Sequence, residues 1–199
     1  MKTQRMRQHC LKPCLFLVLA LLTCRLALPG SVMAVEIDGG VYDATDYHAP
    51  KHIVSRDIQS FSLRFAWHGE EGQPYPHGVW SFSLKRTGRT AEMAMHCDTA
   101  GVHAHAQVDA SALMRLQELI EARDIVKLNG HARSNTALGE LVDLNVTYAS
   151  GESINVYAEG GCATLPDQDW SPLCFLEFFH HLKDEALSNG TLIGKNVKS

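Results

Sequence analysis

The chain has 199 residues, 45% of them apolar and 20% charged. That balance suits a globular protein and excludes collagen-like, low-complexity and strongly charged disordered chains. Five of the basic residues lie in positions 1–34, which hold no acid; the rest of the chain carries 13 basic and 22 acidic side chains, a formal −9, the wrong sign for a nucleic-acid binder.

Residues 1–34 have the three parts of a secretory signal. Lys2, Arg5, Arg7 and Lys12 form the basic start, Leu15 to Thr23 the apolar run, and Val32-Met33-Ala34 the short residues before a cleavage site. The run is shorter than the roughly 20 apolar residues a bilayer span requires. Cleavage here predicts a periplasmic or secreted protein that starts near Val35 and keeps no stable transmembrane span. The alternatives are membrane anchoring through an uncleaved signal extended by Leu26 and Leu28, or through a lipid on Cys24.

Export leaves Cys97, Cys162 and Cys174 in an oxidising compartment, where disulfides persist. An odd count allows one internal bridge. The expected one is Cys162–Cys174, since Cys162 follows Gly160-Gly161 at a strand end and Cys174 lies in the first turn of a helix. No Cys-x-x-Cys pair exists, so a thioredoxin-like or zinc-ribbon reading fails.

Residues 35–57 are polar and acidic and read as an N-terminal arm with room for one short strand. The apolar period then becomes two. Phe61, Leu63, Phe65 and Trp67 alternate with polar or small residues, as do Trp80, Phe82 and Leu84. Arg86 to Arg89 is a turn, Ala91 to Cys97 the next strand, and Asp98 to Gly101 the turn into Val102–Val108. Pairing Lys85 with Thr90 sets Phe82 opposite Met93 and Trp80 opposite Met95. Pairing Cys97 with Val102 sets Met95 opposite Ala104 and Met93 opposite Ala106. Both registers put the apolar side chains on one face; a slip by one residue would mix the faces.

Asp109 is the expected N-cap of a helix carrying Leu113, Leu116, Leu119 and Ile120. Asp124 to Gly130 reads as a tight turn or short helix. A second hairpin follows, with Val142, Leu144, Val146 and Tyr148 leading through Ala149-Ser150-Gly151 to Ile154, Val156 and Ala158. Ser171-Pro172 opens a last helix with Phe175, Phe178, Phe179 and Leu182 as its buried stripe. Residues 189–199 read as a loose tail. The expected fold class is α+β, one domain over 58–188. Its antiparallel sheet is a four-stranded meander plus a second hairpin, with two helices packed on one face.

Ser60-Phe61-Ser62-Leu63, Val126-Lys127-Leu128-Asn129-Gly130 and Tyr148-Ala149-Ser150-Gly151 resemble turn and core positions of small exported bacterial α+β domains of unassigned function. The resemblance covers about residues 58–185. It implies a fold and a compartment, and it brings no catalytic or binding residue. Many such domains look like lipoproteins, and this signal departs from that pattern.

No nucleophile elbow, zincin helix, phosphate loop or dinucleotide fingerprint is present. Histidine is the compositional oddity, with eleven in the chain. The hairpin register places His96 opposite His103 on the polar sheet face, with His105 two residues further along that face. Three imidazoles suit Zn, Cu or Ni, so His96, His103 and His105 are the candidate metal ligands. Cys97, Met93 and Met95 fall on the other face. His180 and His181 read as exposed, ion-paired histidines of the last helix, and Asp43, Asp46, His48 and His52 as a solvated arm. Trp67 and Trp80 fit the core stripe rather than a sugar platform. The leading expectation is a non-catalytic exported domain that binds a protein, an envelope component or a small ligand. A metal-handling protein is the second reading and a hydrolase the third.

Overall fold

The computed structural model describes residues 35–37, 41–69, 74–135, 141–160, 165 and 171–195. Among these are ten strands and two α-helices. In chain order they are β1 (Val35–Ile37), β2 (Val41–Asp43), β3 (Ile58–Trp67), β4 (Gly78–Thr87), β5 (Thr90–Cys97), β6 (Val102–Asp109), α1 (Ser111–Ala122), β7 (Ala132–Asn135), β8 (Leu141–Tyr148), β9 (Ser153–Glu159), α2 (Leu173–Ser188) and β10 (Leu192–Lys195). A 3-10 turn, Ile125–Leu128, separates α1 from β7. The strands form one open sheet in the order β1-β2-β7-β9-β8-β3-β4-β5-β6-β10. The fold is α+β.

Period-two alternation gives the sheet its two faces. Phe61, Leu63, Phe65, Trp67, Trp80, Phe82, Leu84, Met93 and Met95 are all buried. Their neighbours Ser62, Arg64, Lys85 and Glu92 are exposed. Phe175 and Phe179 of α2 stack on the buried face, with ring centroids 5.4 Å from Phe61 for Phe175 and 4.7 Å from Phe82 for Phe179. Leu113, Leu116 and Ile120 of α1 belong to the same core. A fully buried aromatic or aliphatic side chain contributes roughly 1.5–3 kcal/mol, so this face dominates the stability. No helix of the described residues is long and apolar enough to cross a membrane.

Several sequence expectations need correction. The sheet is mixed rather than antiparallel, because β7, unforeseen in the sequence, lies parallel to β9. The β4–β5 register differs by two residues from the expected one. Thr87 pairs with Thr90, so Gly88 and Arg89 alone make the turn, and Phe82 faces Met95 while Leu84 faces Met93. A two-residue loop with glycine first and at positive φ (73°) fits the twist of a hairpin; a shift of two keeps every side chain on its face. The β5–β6 pairing is Cys97 with Val102, Met95 with Ala104 and Met93 with Ala106. The segment read as a loose tail carries β10, which pairs with β6 and covers its outer edge. The arm supplies β1 and β2, and β2 pairs with β7.

Helix starts shift slightly. Ala110 rather than Asp109 holds the cap position of α1, while the Asp109 carboxylate accepts the Ser111 N–H at 2.8 Å. At α2 the Ser171 hydroxyl accepts the Leu173 N–H at 3.2 Å, with Pro172 at the cap. Cys174 is a free thiol that donates to the Ser171 carbonyl at 3.4 Å. The expected Cys162–Cys174 bridge is therefore not seen; Cys162 lies outside the described residues.

Residues 44–57 form a strap from β2 to β3, tied down by specific bonds. Asp43 accepts from Thr45, Tyr47 and Arg133, and bonding from Thr45, aided by the Arg133 charge, holds its carboxyl down at about 2. The Asp46 N–H donates to the Gly130 carbonyl at 2.8 Å. Gly130 has φ of 82°, and a Cβ there would lie 2.4 Å from both the Asp46 carbonyl oxygen and the Ala49 Cβ. Only glycine lets the strap seat against this turn.

Gly130→Ala is expected to destabilise the protein by roughly 2–4 kcal/mol, since it adds a clash to an unfavourable φ. Gly151→Ala, also at positive φ but facing open space, should cost only about 1–2 kcal/mol. Urea unfolding of both variants checks this; equal losses would mean the strap does not press on Gly130.

Candidate metal centre

The turn between β5 and β6 decides which polar groups meet. His96 and His103 are cross-strand partners, and their ring centroids lie 4.4 Å apart in an edge-to-face arrangement. Asp98 follows the last residue of β5. Its Oδ1 is 3.2 Å from His96 Nε2 and 3.8 Å from His103 Nε2. One ligand atom from each of the three residues lies within 4.8 Å of the others. Zinc bound at about 2.0–2.2 Å in a tetrahedral shell holds its N and O ligands roughly 3.3–3.5 Å apart. The two Asp98 distances bracket that spacing, so small side-chain rotations would bring the atoms onto an ion.

The turn itself is anchored from below. The Thr99 hydroxyl donates to the His77 carbonyl at 2.8 Å and lies 3.3 Å from Cys97 Sγ. Gly101, at φ of 63°, closes the turn with an N–H to the Asp98 carbonyl at 3.0 Å. Gly78 makes the anchoring possible, because a Cβ there would lie 1.9 Å from Thr99 Oγ1. Glycine at the start of β4 thus lets Thr99 dock, and docking holds Asp98 beside the histidines.

Of the predicted set, His96 and His103 are brought together with Asp98, and His105 is not. His105 pairs with Ala94, is exposed and stands outside the cluster. A step of two along a strand separates side chains by about 7 Å, and in this conformation the His105 ring does not join the ligand atoms of His96, Asp98 and His103. Asp98 is the third residue of the cluster. Strand alternation could not reveal it, because a turn residue has no assigned face; the spacing His96-Cys97-Asp98 at a strand end was the available signal. Cys97 is fully buried on the opposite face with Met93 and Met95.

The other histidines divide by environment. His48, His52 and His68 are exposed. His131 is buried near the strap, and burial, with the nearby Arg133 charge, pushes its pKa down. His180 corrects an expectation: instead of an exposed ion-pairing residue it is a half-buried ring. It lies 4.8 Å from the Tyr75 ring and 5.6 Å from that of Trp80. Its Nε2 is buried without a hydrogen-bond partner among the described residues. Burial, reinforced by the Lys183 charge, lowers it to about 4. Trp67 and Trp80 are in the core, their indole N–H groups donating to the Tyr75 and Pro76 carbonyls. Asp124 and Lys127 form an ion pair across the 3-10 turn.

No family model matches this chain, no curated protein is similar to it, and no solved structure matches its fold.

His180 generates a pH prediction. In the unfolded chain a histidine protonates near pH ~6.5, and in the fold His180 does so only near about 4. Its contribution is fully present above pH ~6.5 and is lost as pH falls towards 4, because the unfolded state takes up the proton first. Between pH 7.5 and 4.5 that loss is about 2–3 kcal/mol. His180→Phe, which keeps a ring beside Tyr75, should show an acid limb shallower by that amount in urea unfolding. An unchanged limb would place the protonation elsewhere.

Proposed function

We propose that this protein is an exported, non-catalytic domain that binds a divalent transition-metal ion through His96, Asp98 and His103. The observation that carries the reading is the convergence of two imidazoles and one carboxylate at coordination spacing on the sheet's open face. Nitrogen and oxygen ligands of this kind favour Zn or Cu over Mg or Ca, which prefer all-oxygen shells. The three ligands leave at least one coordination position towards solvent.

Binding is favoured over catalysis because of where the cluster lies. The Asp98 side chain is 83% exposed and the two imidazoles are 45% and 42% exposed. Neither of two large cavities in the fold, of about 480 and 560 Å³, is lined by these residues. Electrostatic catalysis draws its strength from a preorganised site that excludes water, and an ion on this rim would sit in the open. The signal-like residues 1–34 support export to the periplasm or the medium. The occupant of the remaining coordination position would be an envelope component, a protein side chain or a small ligand.

Titration of the purified, metal-free protein with Zn and Cu by calorimetry tests the site. One equivalent of one of these ions is expected to bind with micromolar or tighter affinity. His96→Ala, Asp98→Ala and His103→Ala should each weaken it at least ~10-fold, about 1.4 kcal/mol, and His105→Ala should change it less than ~2-fold. Wild-type affinity in the His96 variant would contradict the site, as would His105 mattering equally. N-terminal sequencing of the exported protein is expected to begin at or near Val35; full-length protein in the cytoplasm would contradict the export reading.

A further inference from the structure

The strap and the end of the sheet border a second feature, separate from the His96–His103 pair and lined in part by the buried His131. A cavity of about 480 Å³ lies between residues 44–53 and the polar side chains of β8 and β9, within the size range of small-ligand sites. Its walls are fixed by backbone and side-chain bonds. The Glu152 carboxylate accepts the N–H groups of Val54 and Ser55, each at 3.0 Å. The buried Asn129 amide donates to the carbonyls of Pro50 and Ser153 at 2.9 and 3.1 Å and accepts the Asn155 N–H at 2.9 Å. Asn129 is 3% exposed and fully employed in holding strap, turn and strand together.

Four side chains form the sheet side of this cavity as a rectangle. Asp143 and Asn145 stand on β8, opposite Tyr157 and Asn155 on β9 respectively. The pairs are about 5 Å apart across the strands and about 7 Å apart along them. Both amides are oriented from their own strand. Asn145 Nδ2 donates to Asp143 Oδ1 at 2.7 Å, and Asn155 Nδ2 donates to Ser153 Oγ at 3.0 Å. Each amide therefore has one N–H and its carbonyl oxygen left over among the described residues, and Asp143 keeps a second oxygen. The Tyr157 hydroxyl is engaged by Glu159, which leaves the ring, in a residue 37% exposed, as the surface it offers.

We infer that this cavity binds a short saccharide. Donors and acceptors stand side by side at the scale of one sugar ring. Hydroxyl groups both donate and accept, and so can satisfy amide N–H, amide carbonyl and carboxylate together. The ring of Tyr157 provides an apolar platform beside them for the C–H face of the sugar. Asp46 and Glu152 also line the cavity, but they accept backbone N–H groups of the strap, from His48 and from Val54 and Ser55; an ammonium ligand would therefore meet Asp143 and leave the amide N–H donors unpaired, at a cost in desolvation. The site is independent of the metal centre. The register runs from Asp143 through Arg64 and Ser81 to His96, three strand spacings or about 14 Å.

Calorimetric titration of the purified protein with cellotriose, maltotriose and N-acetylchitotriose tests the inference, with putrescine as the cationic comparison. At least one saccharide is expected to bind one-to-one with millimolar or tighter affinity. Tyr157→Leu and Asn145→Ser should each weaken it at least ~10-fold, while His96→Ala leaves it unchanged. In case a variant fails to fold, amide NMR shifts of the unaltered protein provide a second readout. They should move first at residues 143–145 and 155–157. Absence of binding by all three saccharides, tighter binding of putrescine, full affinity in both variants, loss of binding in the His96 variant, or shifts centred elsewhere would each overturn the inference.

Discussion

The pairing of β5 with β6 is the constraint on which the functional reading depends. Cys97 opposite Val102 places Met95 over Ala104 and Met93 over Ala106 in the core. The same register puts His96 opposite His103 on the outer face. The two results are inseparable, because side chains alternate with a strict period of two. A slip by one residue would bury an imidazole and expose a methionine, and each exchange carries a desolvation cost of several kcal/mol. The core thus enforces the geometry of the outer face.

The aromatic and aliphatic stripes of the two helices join the buried face. On and beside the outer face, some polar groups hold structure and others are left to bind. Near the strap, Asn129, Glu152 and Asp43 spend their hydrogen bonds on tying irregular backbone to the sheet. At the β5–β6 turn, the side chains of His96, Asp98 and His103 meet one another and remain partly or largely exposed. Groups already committed to structure make poor ligand sites, whereas convergent groups with spare lone pairs make good ones.

Much of this was legible because alternation is a strong local signal. Phe61 to Trp67, Trp80 to Leu84 and Val142 to Tyr148 each show it, and their faces follow from it. The second pairing could be read because Asp98 to Gly101 left one turn length that suited both strands. The β4–β5 turn had a tighter alternative, and a two-residue shift leaves the faces unchanged, so alternation alone could not choose. Strand β7, Ala-Arg-Ser-Asn, and strand β10, Leu-Ile-Gly-Lys, show no alternation; they are strands because neighbouring edges need partners. His180 was misplaced because helical spacing to Asp184 suggested an ion pair, while Tyr75 and Trp80, more than 90 residues away in the chain, cover it. Asp98 escaped for the complementary reason, since a turn residue is placed by the anchoring of Thr99 and Gly78 rather than by any period.

Imidazole nitrogen NMR during zinc titration reports each ring separately and so distinguishes the histidines that hold the ion from those that do not. The Nε2 resonances of His96 and His103 are expected to shift together and saturate at one equivalent, while those of His105 and the buried His180 stay in place. Saturation that includes His105, or that leaves His103 unmoved, would contradict the proposed metal site.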